Sequence, residues 1–257
     1  FTTFPQTFRK HILAFWISLL AIGVGAAFGG FTVIVDSNTK QILLPFSHLQ
    51  GDPSERVKKE EDVNADRLAG AKTTFSSFLM THNTKVAILT LALGLTWGIG
   101  TLIMLFYNGI ILGAVAVDYV MAGETSFLLG WLLPHGAVEI PAILLAGQAG
   151  IVLAGALIGW GKQISFRMRL RKISNDLVTL IFGVALMLVW AGIIESFFSQ
   201  YHEPVMPYAV KIGFGVFELM ILALFLGMSG RKSEVGRATV PAALRLPQFS
   251  NTLRSAL

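Results

Sequence analysis

Hydrophobic positions in this chain fall into long, nearly uninterrupted runs rather than at every second, third or fourth residue. Ile12 to Val35 is a run of 24 residues, about 36 Å as helix and enough to cross a hydrocarbon layer of about 30 Å with some tilt. Comparable runs cover Val86–Phe106, Ala137–Trp160, Leu177–Phe198 and Val210–Met228. A shorter one, Ile110–Met121, gives only about 18 Å of helix, less than a usual crossing. Backbone that crosses lipid must satisfy its own hydrogen bonds, so runs of this length predict helices. The pattern is that of an all-α polytopic transmembrane bundle.

Polar stretches and charge order the runs. Arg9 and Lys10 precede the first run and place the N-terminus in the cytoplasm by the positive-inside rule. Residues 36–85 are polar with nearly balanced charge, as expected of an extracytoplasmic loop. Within it, Asp52-Pro53-Ser54-Glu55 reads as a helix start, with the helix expected through Arg56–Arg67, solvated or docked on another protein. Phe75, Phe78, Leu79 and Met80 form a greasy face expected in the membrane interface. Lys162, Arg167, Arg169, Arg171 and Lys172, in the segment 161–176, face only Asp176 and predict a cytoplasmic loop. Residues 231–257 carry Arg231, Lys232, Arg237, Arg245 and Arg254 and predict a cytoplasmic tail. An odd number of crossings must therefore separate 36–85 from the basic loop. The expected solution has six crossings and both termini inside. Its third span crosses but is broken near Gly123-Glu124-Thr125, with Phe127–Leu133 continuing it; the alternative is a re-entrant dip.

Composition agrees: 54% of residues are hydrophobic and 14% charged, against about 25% charged in a soluble domain. There is no Cys, which excludes disulfides, thiolate chemistry and iron–sulfur ligation. The net charge of +5 fits basic cytoplasmic segments, and no nucleic-acid motif accompanies it. The first run is too long for a signal peptide and no small-residue cleavage site closes it. The chain opens on Phe1 without Met, so upstream residues are expected.

Candidate chemistry lies where polar residues interrupt the runs. His135 and Glu139 are four residues apart, on one face of a helix, between Pro134 and Pro141. An ionisable group in a membrane-crossing helix costs about 2.5–3.5 kcal/mol on insertion scales, so two within one turn call for a partner or a role. With the expected topology, His135, Glu139, Glu195, Asp118 and Glu124 all fall in the outer leaflet. One reading is that they lock helices together by hydrogen bonds. A second is contact with a substrate, lipid or partner in an outward-facing cavity. A third is a metal site built from His135, Glu139 and Glu195, short of the usual zinc pattern by a second His. Glu218, midway along the last run, is the deepest acid and must face protein or water. Lys162, Arg167, Arg169, Arg171 and Lys172 are candidates for anionic headgroups. Gly25–Gly29, Gly94–Gly98, Gly109–Gly113 and Gly155–Gly159 have the small-x-x-x-small spacing of close helix packing, expected inside the chain more than at a homo-oligomer face. No cofactor motif is present.

Pro134-His135-Gly136-x-x-Glu139 at the start of an apolar run resembles the signature of the stage II sporulation protein M family of bacterial membrane proteins. Ile193-Ile194-Glu195 and Tyr107-Asn108-Gly109 resemble two further family features, and the likeness runs from about Phe8 to Gly230. The resemblance implies an inner-membrane, non-catalytic scaffold that anchors or positions peptidoglycan-processing partners of the cell envelope. Membrane lipids and other membrane or envelope proteins are the partners it implies. A transporter or channel for a small polar solute, ion or lipid, and an intramembrane metal-dependent hydrolase, remain as alternatives.

Overall fold

The computed structural model describes residues 2–62, 69–161, 163–199 and 201–231, with His48 and residues 69–80 described as backbone only. Among the described residues there is helix and no strand. The α-helices are α1 (Thr3–Lys10), α2 (Ile12–Val35), α3 (Lys40–Leu43), α4 (Pro53–Glu61), α5 (Ala69–Ala92), α6 (Ile99–Met121), α7 (Thr125–Ile158), α8 (Phe166–Ile194) and α9 (Tyr208–Met228). A π-helical turn, Glu195–Ser199, prolongs α8. Five helices, α2, α6, α7, α8 with its π turn, and α9, are long and apolar enough to cross a membrane.

α7 is the centre of the bundle: 61% of its most apolar stretch is buried, against 17% for α9 and 28% for α2. It runs unbroken through Pro134 and Pro141, both inside the helix. Each proline frees a carbonyl one turn earlier, a loss that crossing helices tolerate when neighbours close over it. α2 and α6 lie side by side in the same direction. Gly25 lies against Phe106 and Ile110, and Gly30 against Val117, so contacts advance together along both helices. Gly109 and Gly113 meet Ile22 and Ala26 from the other side. Two of the small-residue pairs legible in the sequence therefore face each other within one chain, which lets the backbones touch.

Parallel α2 and α6 require the chain to return between them, and α5 makes that return. Its Asn83 bonds to Glu139 of α7, and the turn after it sets Gly94 against Gly150 and Gly98 beside Ala154. The expected second span, Val86–Phe106, is thus divided. α5 ends at Ala92, a 3-10 turn covers Leu93–Leu95, and Trp97 and Gly98 adopt positive φ of 53° and 84° before α6 begins. The expected third run is the second half of an unbroken α6. Phe127–Leu133 does not continue it but opens α7, after a turn with Gly123 at φ 81°. Leu93–Gly98 is apolar apart from Thr96, so no polar break marks the joint in the sequence.

The bundle has two distinct ends. One, the cap end, carries residues 36–62. As expected, Asp52 caps α4, accepting from the amides of Ser54 and Glu55, and Pro53 takes the first helical position. α4 stops at Glu61, short of the expected Arg67; residues 63–68 and the side chains of Phe75, Phe78, Leu79 and Met80 lie outside the described residues. Backbone 69–85, read from sequence as loop, already belongs to α5. α4 docks on its own chain. Arg56 donates to the Tyr119 hydroxyl at 2.7 Å and lies 4.2 Å over the Trp131 ring, while Val57 is buried beneath. Lys40 bridges to Asp118 at 3.0 Å, and the Tyr208 hydroxyl donates to Glu61 at 2.6 Å.

The other, the basic end, gathers α1 with the C-terminal ends of α7 and α9 and the start of α8. Arg9 and Lys10, read from sequence only as basic residues ahead of the first run, end a helix, Thr3–Lys10, whose Phe4 fills the space left by Gly183. Arg9 donates to the carbonyls of Leu226 and Ser229 at the end of α9. Gln148 donates to those of Phe8 and His11. Lys10 and His11 both reach Asp176.

Candidate functional site

A cavity of about 150 Å³ lies towards the cap end among α2, α5, α6, α7 and α8. His135, Gly136 and Glu139 of α7 line it, one helical turn spanning the histidine and the acid. α6 contributes Asn108, α5 His82 and Asn83, and the π turn Glu195. Phe46 and Leu49 of the cap segment form its roof. The three sequence features that are far apart in the chain, at 107–109, 134–139 and 193–195, therefore meet at one cavity.

Each polar group has a definite setting. His135 is 4% exposed and its Nδ1 hydrogen-bonds with Ser199 Oγ at 3.0 Å. Glu139 accepts from the side chain of Asn83 and is close enough to Glu195 for their charges to interact. Asn108, which lines the cavity, donates its side-chain amide to the Met104 carbonyl at 2.7 Å. Glu195 is 1% exposed, and among the described residues neither of its carboxylate oxygens has a hydrogen-bond partner. A carboxylate so buried is costly unless donors reach it.

Behind His135 lies a residue the sequence reading passed over. Lys211, fully buried near the start of α9, donates to the carbonyls of Ser199 at 2.8 Å and Tyr201 at 2.6 Å. The unpaired carbonyls at the end of a helix favour a cation. Lys211 thus holds the end of the π turn that presents both Glu195 and Ser199. Its signal was in the sequence, as a lone Lys in an apolar run.

The remaining candidates divide. Asp118 is taken by Lys40 in the cap and does not line the cavity. Glu124 stands at the start of α7 without capping it and is likewise not part of the cavity. Glu218 accepts from Trp190 Nε1 at 2.6 Å in a separate apolar groove between α8 and α9. Of the basic set, Arg167, Arg171 and Lys172 are exposed on the first turns of α8, which begins at Phe166 rather than after a loop. Arg169 turns inward to the carbonyls of Ala156 and Leu157 and so closes α7. Lys162 lies outside the described residues. Among the described residues, no three His, Asp or Glu side chains are arranged to hold a metal ion.

Helices of this length and polarity around a polar cavity define a multi-pass helical membrane protein. The profile of the stage II sporulation protein M family matches residues 17–200, and the chain belongs to that family. Two uncharacterized proteins of Methanocaldococcus jannaschii are similar to it. One is 37% identical over 73 residues, 28% of this chain and 41% of that protein. The other is 34% identical over 118 residues, 45% of this chain and 51% of that protein. These matches span about half or less of the curated relatives' length. No solved structure matches.

Proposed function

We propose that this protein is a non-catalytic scaffold of the bacterial inner membrane that positions peptidoglycan-processing partners, with the cap and its polar cavity on the outside. The observation that carries the reading is the docked cap. Arg56, Lys40 and Glu61 fasten residues 36–62 to three helices, and α4 turns Glu55, Lys58 and Lys59 outward. A charged helix held rigidly over a membrane bundle is a surface for another protein, prepaid in ordering entropy. Family membership supports the envelope role. The basic residues Lys10, Arg167, Arg171 and Lys172 support placing the opposite end and both termini in the cytoplasm.

The transport reading draws on the cavity and on Glu218. Against it, the space between cavity and basic end is filled by Phe8, Ala142, Leu145, Ala149, Leu180 and Val184, all buried in one apolar cluster. Glu218 lies off that axis in its own groove. The hydrolase reading needs His135, Glu139 and Glu195 to converge on one ion, which their arrangement does not favour.

Photoreactive residues at Lys58 and Lys59 in native membranes test the proposal. Crosslinks to a peptidoglycan-processing enzyme, absent when the probe replaces lipid-facing Leu13, are expected. Solute or proton flux through reconstituted protein, lost in Glu195→Gln, would replace the scaffold by a transporter.

A further inference from the structure

We infer that the cavity is a binding site for a small primary ammonium group, either a free amine or the ethanolamine headgroup of a lipid. This rests on reading the cavity as an outward polar site and not on the identity of any scaffolded partner.

Charge and hydrogen-bonding capacity point the same way. Glu139, Glu195 and Asn108 line the cavity, and their side-chain oxygens are acceptors. Among the described residues, Asn83 is engaged with Glu139, His135 with Ser199 through Nδ1, and Lys211 with the backbone carbonyls of Ser199 and Tyr201. Glu195, almost completely buried and lining the cavity, is left with two acceptor oxygens and no donor. What is missing is a cation with several N–H groups.

Geometry selects among cations. A bare metal ion needs ligands gathered at one point, and the described His, Asp and Glu side chains are not so gathered. An ammonium has three N–H groups and can reach acceptors that stand apart. A quaternary ammonium offers no N–H and is recognised by open aromatic faces. Trp131 is the broad aromatic wall here, and the Arg56 guanidinium already lies over its ring at 4.2 Å. Size fits as well. A cavity of about 150 Å³ holds a molecule as large as benzene, so an ethanolammonium group enters with room for a water. Phe46 and Leu49 of the cap stand at the roof, where a headgroup at the lipid–water boundary would arrive.

The test uses the full chain in detergent, with unfolding followed by tryptophan fluorescence. Ethanolamine hydrochloride is titrated against sodium chloride and tetramethylammonium chloride at matched ionic strength. A parallel arm compares nanodiscs of phosphatidylethanolamine with nanodiscs of phosphatidylcholine. A saturable rise in Tm with ethanolammonium, absent with both control salts, is expected for a free amine. A rise only in phosphatidylethanolamine discs assigns the lipid headgroup instead. Glu195→Gln keeps the side-chain shape and removes the charge, and should weaken the effect by about tenfold or more. Glu139→Gln should weaken it as well, while Glu124→Gln, outside the cavity, should leave it intact. Equal shifts with all three salts, no shift in either arm, or an undiminished shift in Glu195→Gln would each overturn the assignment. None of those results bears on crosslinking at Lys58, so this proposal and the scaffold can fail separately.

Discussion

Gly25, Gly109 and Gly113 are where a single atom decides whether two helices can meet. A Cβ on Gly113 would run into the Ala26 backbone, and one on Gly25 into the Phe106 carbonyl, while one on Gly23 meets nothing. Backbone cannot swing aside as a side chain does. Gly113→Ala is therefore expected to destabilise by about 1–3 kcal/mol, the usual range for overpacking. Gly23→Ala should be neutral or stabilising by up to about 1 kcal/mol from helix propensity. Thermal unfolding in detergent compares the two, and equal effects would remove the close α2–α6 contact from the account. The spacing of these glycines was readable in sequence, but not which of them face each other. His135, Glu139 and Glu195 were readable too, because ionisable groups stand out in apolar runs. Asp118 stood out in the same way and belongs to the cap instead, since its partner Lys40 lies 78 residues away and no local pattern marks it.

At the scale of elements, apolar length located the spans and failed at their joints. α2 begins and ends where its run does, and α9 starts two residues early, at Tyr208. The α5–α6 hairpin was hidden, because Leu93 to Ile99 is as apolar as the helices it joins. α7 was expected to start near its first proline, yet it extends back to Thr125, where Phe127 and Trp131 pack against the cap. The cap itself hinges on Arg56. Its guanidinium donates to the Tyr119 hydroxyl and lies 4.2 Å from the Trp131 ring centre and 5.6 Å from that of Phe127, a combination of hydrogen bond and ring contact that a lysine ammonium reproduces poorly. In Arg56→Ala, amides of α4 should lose hydrogen-exchange protection while those of α7 keep theirs. Arg56→Lys should restore only part of it. Unchanged protection in α4 would mean that the cap is held without Arg56, by Lys40, Tyr208 and the buried Leu44, Leu49 and Val57.

Across the whole molecule, cationic side chains recur at helix ends: Arg9 on α9, Arg169 on α7 and Lys211 on the turn after α8. Part of the basic character that marks one end is thus structural, and the rest is free to meet anionic headgroups or solvent. The cavity lies near the cap, and the apolar layer of Phe8, Leu145 and Leu180 lies towards the basic end, as the proposed outward-facing site requires. Because the chain has no cysteine, side-specific labelling of single-cysteine variants reads this directly. Lys58→Cys and Asn108→Cys should react with a small impermeant thiosulfonate in intact cells, and Ser174→Cys only in inside-out vesicles. Reaction of Asn108→Cys from the inside-out face, or protection of it from both faces, would contradict a cavity that opens outward and is sealed within.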